Sequence, residues 1–405
     1  MSLQSPRLLV ATEFPPNASG GGPAVVRQML KNWPVENLSW WSCFADSDNR
    51  FGQKVSGQFT AKIPSRFYPN QRMRGLKSWV MERVWNPWAT RHFRRTVKAL
   101  KPDVVWVIPH CWAIPPLFNS LPGCATAFHL SVHDYADTKS VIARFGESRA
   151  CKMADMVNRL YATATTRDAI CQPMLDDLKM KTGAEGSISR AGLERGDFDY
   201  LMSGKQSSHD VVRIAYAGTI LVEDVFEQFV VALNRIRQRS KILLTMEFFG
   251  AHSYRSRKWF DASWMNERGN LAEPQLSNAL RECSWGFAPM SLGDDDPRYN
   301  RFSLPTKLIS YLAAGLPVIA VGHPESSLVK IEKAYDIGIC ITSGDPETLN
   351  AELSTTMAMK SPSEKFRAEI LRCSRKEFDA ERMRQKLYES FFICAGRTST
   401  LNGTQ

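Results

Sequence analysis

The stretch FSLPTKLISYLAAGLPVIAVG, residues 302–322, decides how the rest of the chain is read. Pro305 suits the first turn of a helix, where its missing N–H costs nothing, so that turn presents backbone amides and the positive end of the helix dipole. Such an end attracts anions, phosphate above all. Ala313, Ala314 and Gly315 let the helix pack closely and then stop, and Pro317 bars its continuation. Val318 to Val321 is an apolar run of the kind found in buried parallel strands. With Lys307 in the first turn the segment reads as a phosphate seat; the plainer reading is the helix, turn and strand of any α/β protein.

The same alternation extends outward from this segment. Residues 212–217, 242–249 and 285–290 are apolar runs, the first two ending at Gly218-Thr219 and Gly250, and helical spacing marks 225–239 and 273–282. Upstream, 7–12 reads as a strand, followed by Pro15-Pro16, the glycine loop at 19–22 and a helix opened by Pro23, which together form the entry of a Rossmann-like half. Residues 104–109 and 124–132 are further strands, ending in His110 and in His133-Asp134, and 161–165 is a short one. Ligands meet the carboxyl ends of strands in a doubly wound sheet. His133 with Asp134 is therefore a candidate acid, base or carbonyl orienter, and His110 lies on the same side; a structural hydrogen-bonding role fits either histidine as well. The class expected is α/β with two Rossmann-like domains, 1–201 and 211–375. A polar linker, MSGKQSSHD at 202–210, joins them, a helix at 376–395 packs across both, and 396–405 is a tail.

Composition sets the bounds. At 405 residues, 43% hydrophobic and 23% charged, the chain is globular and long enough for about two domains. A net charge of +11 and a pI near 9.2 favour an acidic partner without choosing one. Nine scattered cysteines with no CxxC pair argue for reduced thiols and against a zinc site, and no segment reads as a secretory leader or a membrane span. The expectation is a cytoplasmic protein, peripheral to a membrane at most. Residues 62–101 differ in kind: eleven Lys and Arg face a single acid, Glu82, and are interleaved with Trp79, Trp85 and Trp88. An anionic membrane surface is one partner this mixture suits, nucleic acid a weaker one, and two ordinary surface helices account for it equally simply. On balance no nucleic-acid partner is expected.

The motifs carry a family likeness. The proline- and glycine-rich loop at 15–22, SVHD at 131–134, RAGLERGDF at 190–198, YAGT at 216–219 and LPTKLISYLAAGLPVIA at 304–320 resemble the GT-B glycosyltransferases, in particular the retaining enzymes of family 4. The resemblance runs nearly the length of the chain. It implies two Rossmann-like domains facing each other across a cleft, a nucleotide-sugar donor held by the second and a saccharide or lipid-linked saccharide acceptor held by the first. It further implies surface-glycan synthesis without a metal or cofactor. Carried over, His133 and Asp134 are the catalytic candidates and His110 lies on the acceptor side. Gly21, Gly22, Gly218, Thr219, Ser303, Leu304, Pro305, Thr306 and Lys307 line the donor. A leaving nucleoside diphosphate gains charge in the transition state, which amides at a helix start and a lysine stabilise.

Two departures accompany the likeness. Where the family has two glutamates eight positions apart, the second holding the ribose, this chain has Phe302 and Ser310, and a neutral hydroxyl is worth about 1 kcal/mol in a hydrogen bond. After YAGT, Thr219 replaces an arginine, and Glu223, Asp224 and Glu227 surround the place of a lysine; Arg298 and Arg301 are the candidate substitutes. A non-catalytic GT-B relative that binds a glycan or a partner protein is thus an alternative, and a nucleotide-sugar epimerase a more distant one.

Overall fold

A computed structural model describes residues 5–18, 20–45, 53–64, 73–204, 211–240, 242–359 and 362–397. The chain groups into two compact units, residues 1–190 with 382–405, and residues 191–381.

Unit 1 is built on a seven-stranded sheet in the order β3-β2-β1-β4-β5-β6-β7. The strands are β1 (Leu8–Ala11), β2 (Leu38–Ser42), β3 (Gly57–Thr60), β4 (Val104–Val107), β5 (Phe128–Val132), β6 (Thr166–Ala169) and β7 (Ser187–Ile188). All neighbours are parallel. A parallel strand needs a crossover before its partner, and helices supply most of these crossovers. Val10 lies between Trp40 and Trp106 in register, and these rings are fully buried. The helix Ala380–Cys394 covers part of the sheet. Its Phe391 ring meets Trp33, Trp106 and His129 edge-on or tilted at 5.5, 5.4 and 5.4 Å, and Tyr388 donates to the Lys31 carbonyl at 2.7 Å.

Unit 2 repeats the plan with six parallel strands in the order β10-β9-β8-β11-β12-β13. They are β8 (Val211–Ala217), β9 (Leu243–Phe249), β10 (Met265–Gly269), β11 (Trp285–Pro289), β12 (Val318–Val321) and β13 (Gly338–Ile341). In each sheet the chain reverses its direction of travel once, between β1 and β4 and between β8 and β11, and such switch points are where doubly wound sheets take their ligands. Among the described residues no helix is long and apolar enough to cross a membrane.

Several sequence expectations shift. The first helix begins at Gly21, two residues before Pro23. Residues 161–163, expected in a strand, finish the helix Glu147–Thr163, because Leu160 and Tyr161 bury on its core face; the strand is the polar Thr166–Ala169. Pro305 precedes its helix, Thr306–Ala313, instead of occupying the first turn. The expected helix at 376–395 is two, Pro362–Glu377 and Ala380–Cys394, and most of the second groups with unit 1.

The division of the chain falls at Arg190/Ala191, ahead of position 201, and 205–210 of the expected linker lie outside the described residues. The cause is local. Leu193 donates its N–H to Phe378 O at 2.6 Å and accepts from Ala380 N at 3.1 Å, which fastens the start of the segment to the end of unit 2. Gly192 makes this possible, since a Cβ there would stand 2.2 Å from the Phe378 carbonyl oxygen. Gly192→Ala is therefore expected to cost about 2 kcal/mol or more, read as a lower thermal unfolding midpoint.

Candidate functional site

In unit 1 the ends of β1, β4 and β5 carry Glu13, His110 and His133. The two histidine rings lie 5.9 Å apart between centroids, and Phe14 stacks obliquely on His110 at 5.7 Å. His133 is buried, and burial with the neighbouring His110 pushes its pKa down to about 3; burial alone pushes His110 to about 4. Both are neutral at physiological pH, which suits them to orient a hydroxyl or carbonyl more than to shuttle protons. Asp134, paired with His133 in the sequence reading, comes within 3.9 Å of His110 Nε2 and is largely exposed. His110 Nδ1 is buried without a hydrogen-bond partner among the described residues. Gly21 and Gly22 open the first helix, whose N-terminal turn follows the β1 loop.

The residue that sequence reading missed is Glu13. It lies two residues past the β1 end, its side chain is 13% exposed, and Trp112 N donates to its Oε1 at 3.2 Å. The chain turns sharply at Cys111, φ 35°, just before that amide. Arg144, from the helix Lys139–Phe145, approaches the same oxygen at 3.9 Å. Burial outweighs these partners and raises the Glu13 carboxyl to about 7. A carboxyl poised there exchanges protons at neutral pH. The available signal was an acid immediately after the first buried strand, at a switch-point edge.

In unit 2 the end of β8 and the helix Thr306–Ala313 converge. Gly218 adopts φ 97°, a left-handed conformation that suits glycine, and donates to Phe249 O at 2.7 Å. Tyr216 reaches past it to donate to Thr219 O at 2.7 Å, and Lys307 Nζ sits over the Tyr216 ring at 3.9 Å. Lys307 is half-buried, has no carboxylate partner among the described residues, and desolvation lowers its pKa to about 7. The Thr306 and Lys307 amides precede the first internal bond of the turn, Leu308 N to Pro305 O at 3.0 Å, so the turn offers donors beside a cation. Of the other expected donor residues, Ser303 and Leu304 are buried in the preceding loop, and Ser303 O accepts from Ser327 Oγ. Ser310 is half-buried one turn further along. Arg298 and Arg301 lie on the short helix Pro297–Phe302, capped by Asp296, and Arg301 is ion-paired to Asp294. Glu223 pairs with Arg257 at 3.1 Å.

No protein-family model matches the sequence, and no curated protein does. Solved structures match throughout. The sucrose-phosphate synthase of Thermosynechococcus elongatus aligns at a TM-score of 0.67 and 12% identity, over 96% of this chain and 100% of that one. An α,α-trehalose-phosphate synthase (UDP-forming) of Burkholderia xenovorans, in complex with glucose-6-phosphate, aligns at 0.63 and 11% over 95% and 99%. An E. coli protein described as trehalose-6-phosphate bound with UDP-2-fluoro glucose aligns at 0.62 and 11% over 95% and 98%. At these identities the likeness is one of fold. The chain has the two-domain GT-B architecture that its motifs imply.

The displaced Glu13 carboxyl has a definite effect on stability. Its folded pKa lies above the unfolded value, so folding favours the protonated form; that contribution is complete below pH 4.5 and is lost as pH rises towards 7. Glu13→Gln is expected to unfold later than the parent at pH 8, by about 3 kcal/mol at most, with the gap closing below pH 4.5 in denaturant titrations.

Proposed function

We propose that the protein is a glycosyltransferase that moves a sugar from a nucleotide-sugar donor to a saccharide acceptor. The observation that carries this reading is Lys307, a half-buried lysine without a carboxylate partner among the described residues, at the first turn of a helix beside the switch point of unit 2. Desolvation disfavours the charge on this lysine, an anion brought beside it restores that charge, and the diphosphate of the donor supplies one. The structural neighbours support it: one is UDP-forming and holds glucose-6-phosphate, and another holds UDP-2-fluoro glucose. Unit 1 then takes the acceptor, with His110 and His133 orienting its hydroxyls and Glu13 at hand for its proton.

The finer reading follows the motifs. We place the protein with the retaining family 4 enzymes, working without metal or cofactor, since Lys307 and the helix amides provide the positive charge that the leaving diphosphate requires. Its acceptor is a saccharide or lipid-linked saccharide of a surface glycan, met on the cytoplasmic face of a membrane.

A second reading has a specific observation behind it. Arg301, a candidate substitute for the missing diphosphate cations, is held by Asp294, and Thr219 and Ser310 are neutral. A non-catalytic relative that binds a glycan would look like this.

Release of nucleoside diphosphate from a panel of nucleotide sugars separates the two. Turnover of one donor is expected, with Lys307→Ala lowering the rate at least tenfold; unchanged rates in that variant would refute the role of the lysine. Absence of turnover together with absence of calorimetric binding of any nucleoside diphosphate would favour the non-catalytic relative.

A further inference from the structure

Twelve large apolar side chains are strongly exposed among the described residues, and five of them fall between Met73 and Trp88. The stretch consists of the helix Arg74–Val80, one π-helical turn at Met81–Trp85, and the helix Asn86–Leu100. Its inner side is ordinary core: Met81, Trp85, Ala89, Phe93 and Val97 are buried. Its outer side presents Leu76, Trp79, Val84 and Trp88 at 54%, 57%, 58% and 44% exposure. On a regular helix, nine residues at about 100° each would put Trp79 and Trp88 on opposite sides. The wider π turn between them swings the second helix round, so both rings reach solvent while Trp85 stays in the core.

The charge around this face has one sign. Between residues 74 and 101 there are eight Lys and Arg and a single acid, Glu82, whose carboxylate is taken by Arg149 at 2.6 Å. Arg83, Arg91 and Arg95 are exposed on the same stretch. Tryptophans flanked by aliphatic side chains and ringed by cations match an interface in which indoles sit at headgroup depth and arginines meet lipid phosphates.

We propose that this face of unit 1 docks onto an anionic lipid surface. A second copy of the chain is a poor occupant, because the two faces would bring like charges together. Nucleic acid would satisfy the cations and stack the tryptophans but leave Leu76 and Val84 in water. The proposal deepens the acceptor reading above by naming the surface on which a lipid-linked acceptor would lie, and its chemistry stands without that reading.

The test uses the purified full chain and sedimentation with vesicles, with no nucleotide present, so that a failure of sugar transfer does not enter the result. With vesicles of phosphatidylcholine containing a third phosphatidylglycerol, most of the protein is expected in the pellet; pure phosphatidylcholine should hold at least tenfold less. L76D/W79D is expected to lower the partition at least tenfold. Arg83→Glu with Arg91→Glu should do the same and remove its salt dependence. All four positions are exposed, so circular dichroism and thermal midpoints are expected to match the parent; if one pair fails to fold, the other decides. Equal binding to neutral and anionic vesicles, parental partition in a folded variant, or a chain that dimerises through this face and ignores vesicles would each overturn the proposal.

Discussion

The arrangement of unit 2 depends on one side chain. Tyr311 lies fully buried on the helix Thr306–Ala313, and its hydroxyl accepts from Ala217 N at 2.9 Å while donating towards Phe287 O at 3.0 Å. It thereby ties the helix to the two strands that flank the switch point. Gly286 leaves room for the ring, since a Cβ there would stand 2.4 Å from it. With the helix pinned at that tyrosine, its first turn holds Lys307 above the Tyr216 ring. A buried hydroxyl with backbone partners on two strands is costly to break, which makes the first turn of this helix rigid.

Burial acts on the two units in opposite senses. It drives a proton onto Glu13 and drives one off Lys307, and both groups come to rest near neutrality. Each sits near the point where the chain reverses its direction of travel across its sheet. Neither receives full compensation from a partner: Arg144 is 3.9 Å from Glu13, and the neighbour of Lys307 is a ring rather than a carboxylate. Incompletely paired groups reduce stability, and chains retain such costs at positions that handle ligands.

Much of this was legible along the chain because parallel strands and their turns leave local marks. The segment 302–322 announces itself through Pro305, Gly315 and Pro317, and the strands at the centre of each sheet are unbroken apolar runs such as Leu8–Ala11 and Val318–Val321. The edge strands Gly57–Thr60 and Met265–Gly269 carry no such run, because one side of each faces water. Thr166–Ala169 was hidden for another reason: Asp168 reads as a surface residue until His129, 39 positions away, is found holding it at 2.9 Å. Glu13 follows the same rule. Its meaning comes from an amide 99 residues further on, and no window along the sequence contains both.

The position of the last helix bears on how the protein is made. Phe391 covers Trp33, Trp106 and His129, yet it leaves the ribosome after the whole of unit 2. The first sheet is therefore synthesised without part of its lid, and its tryptophans wait exposed while some two hundred residues of the other unit emerge and fold. Completion of the earlier unit thus waits on a helix made after the later one, so a chain released before Arg382 would carry one finished half and one unfinished half.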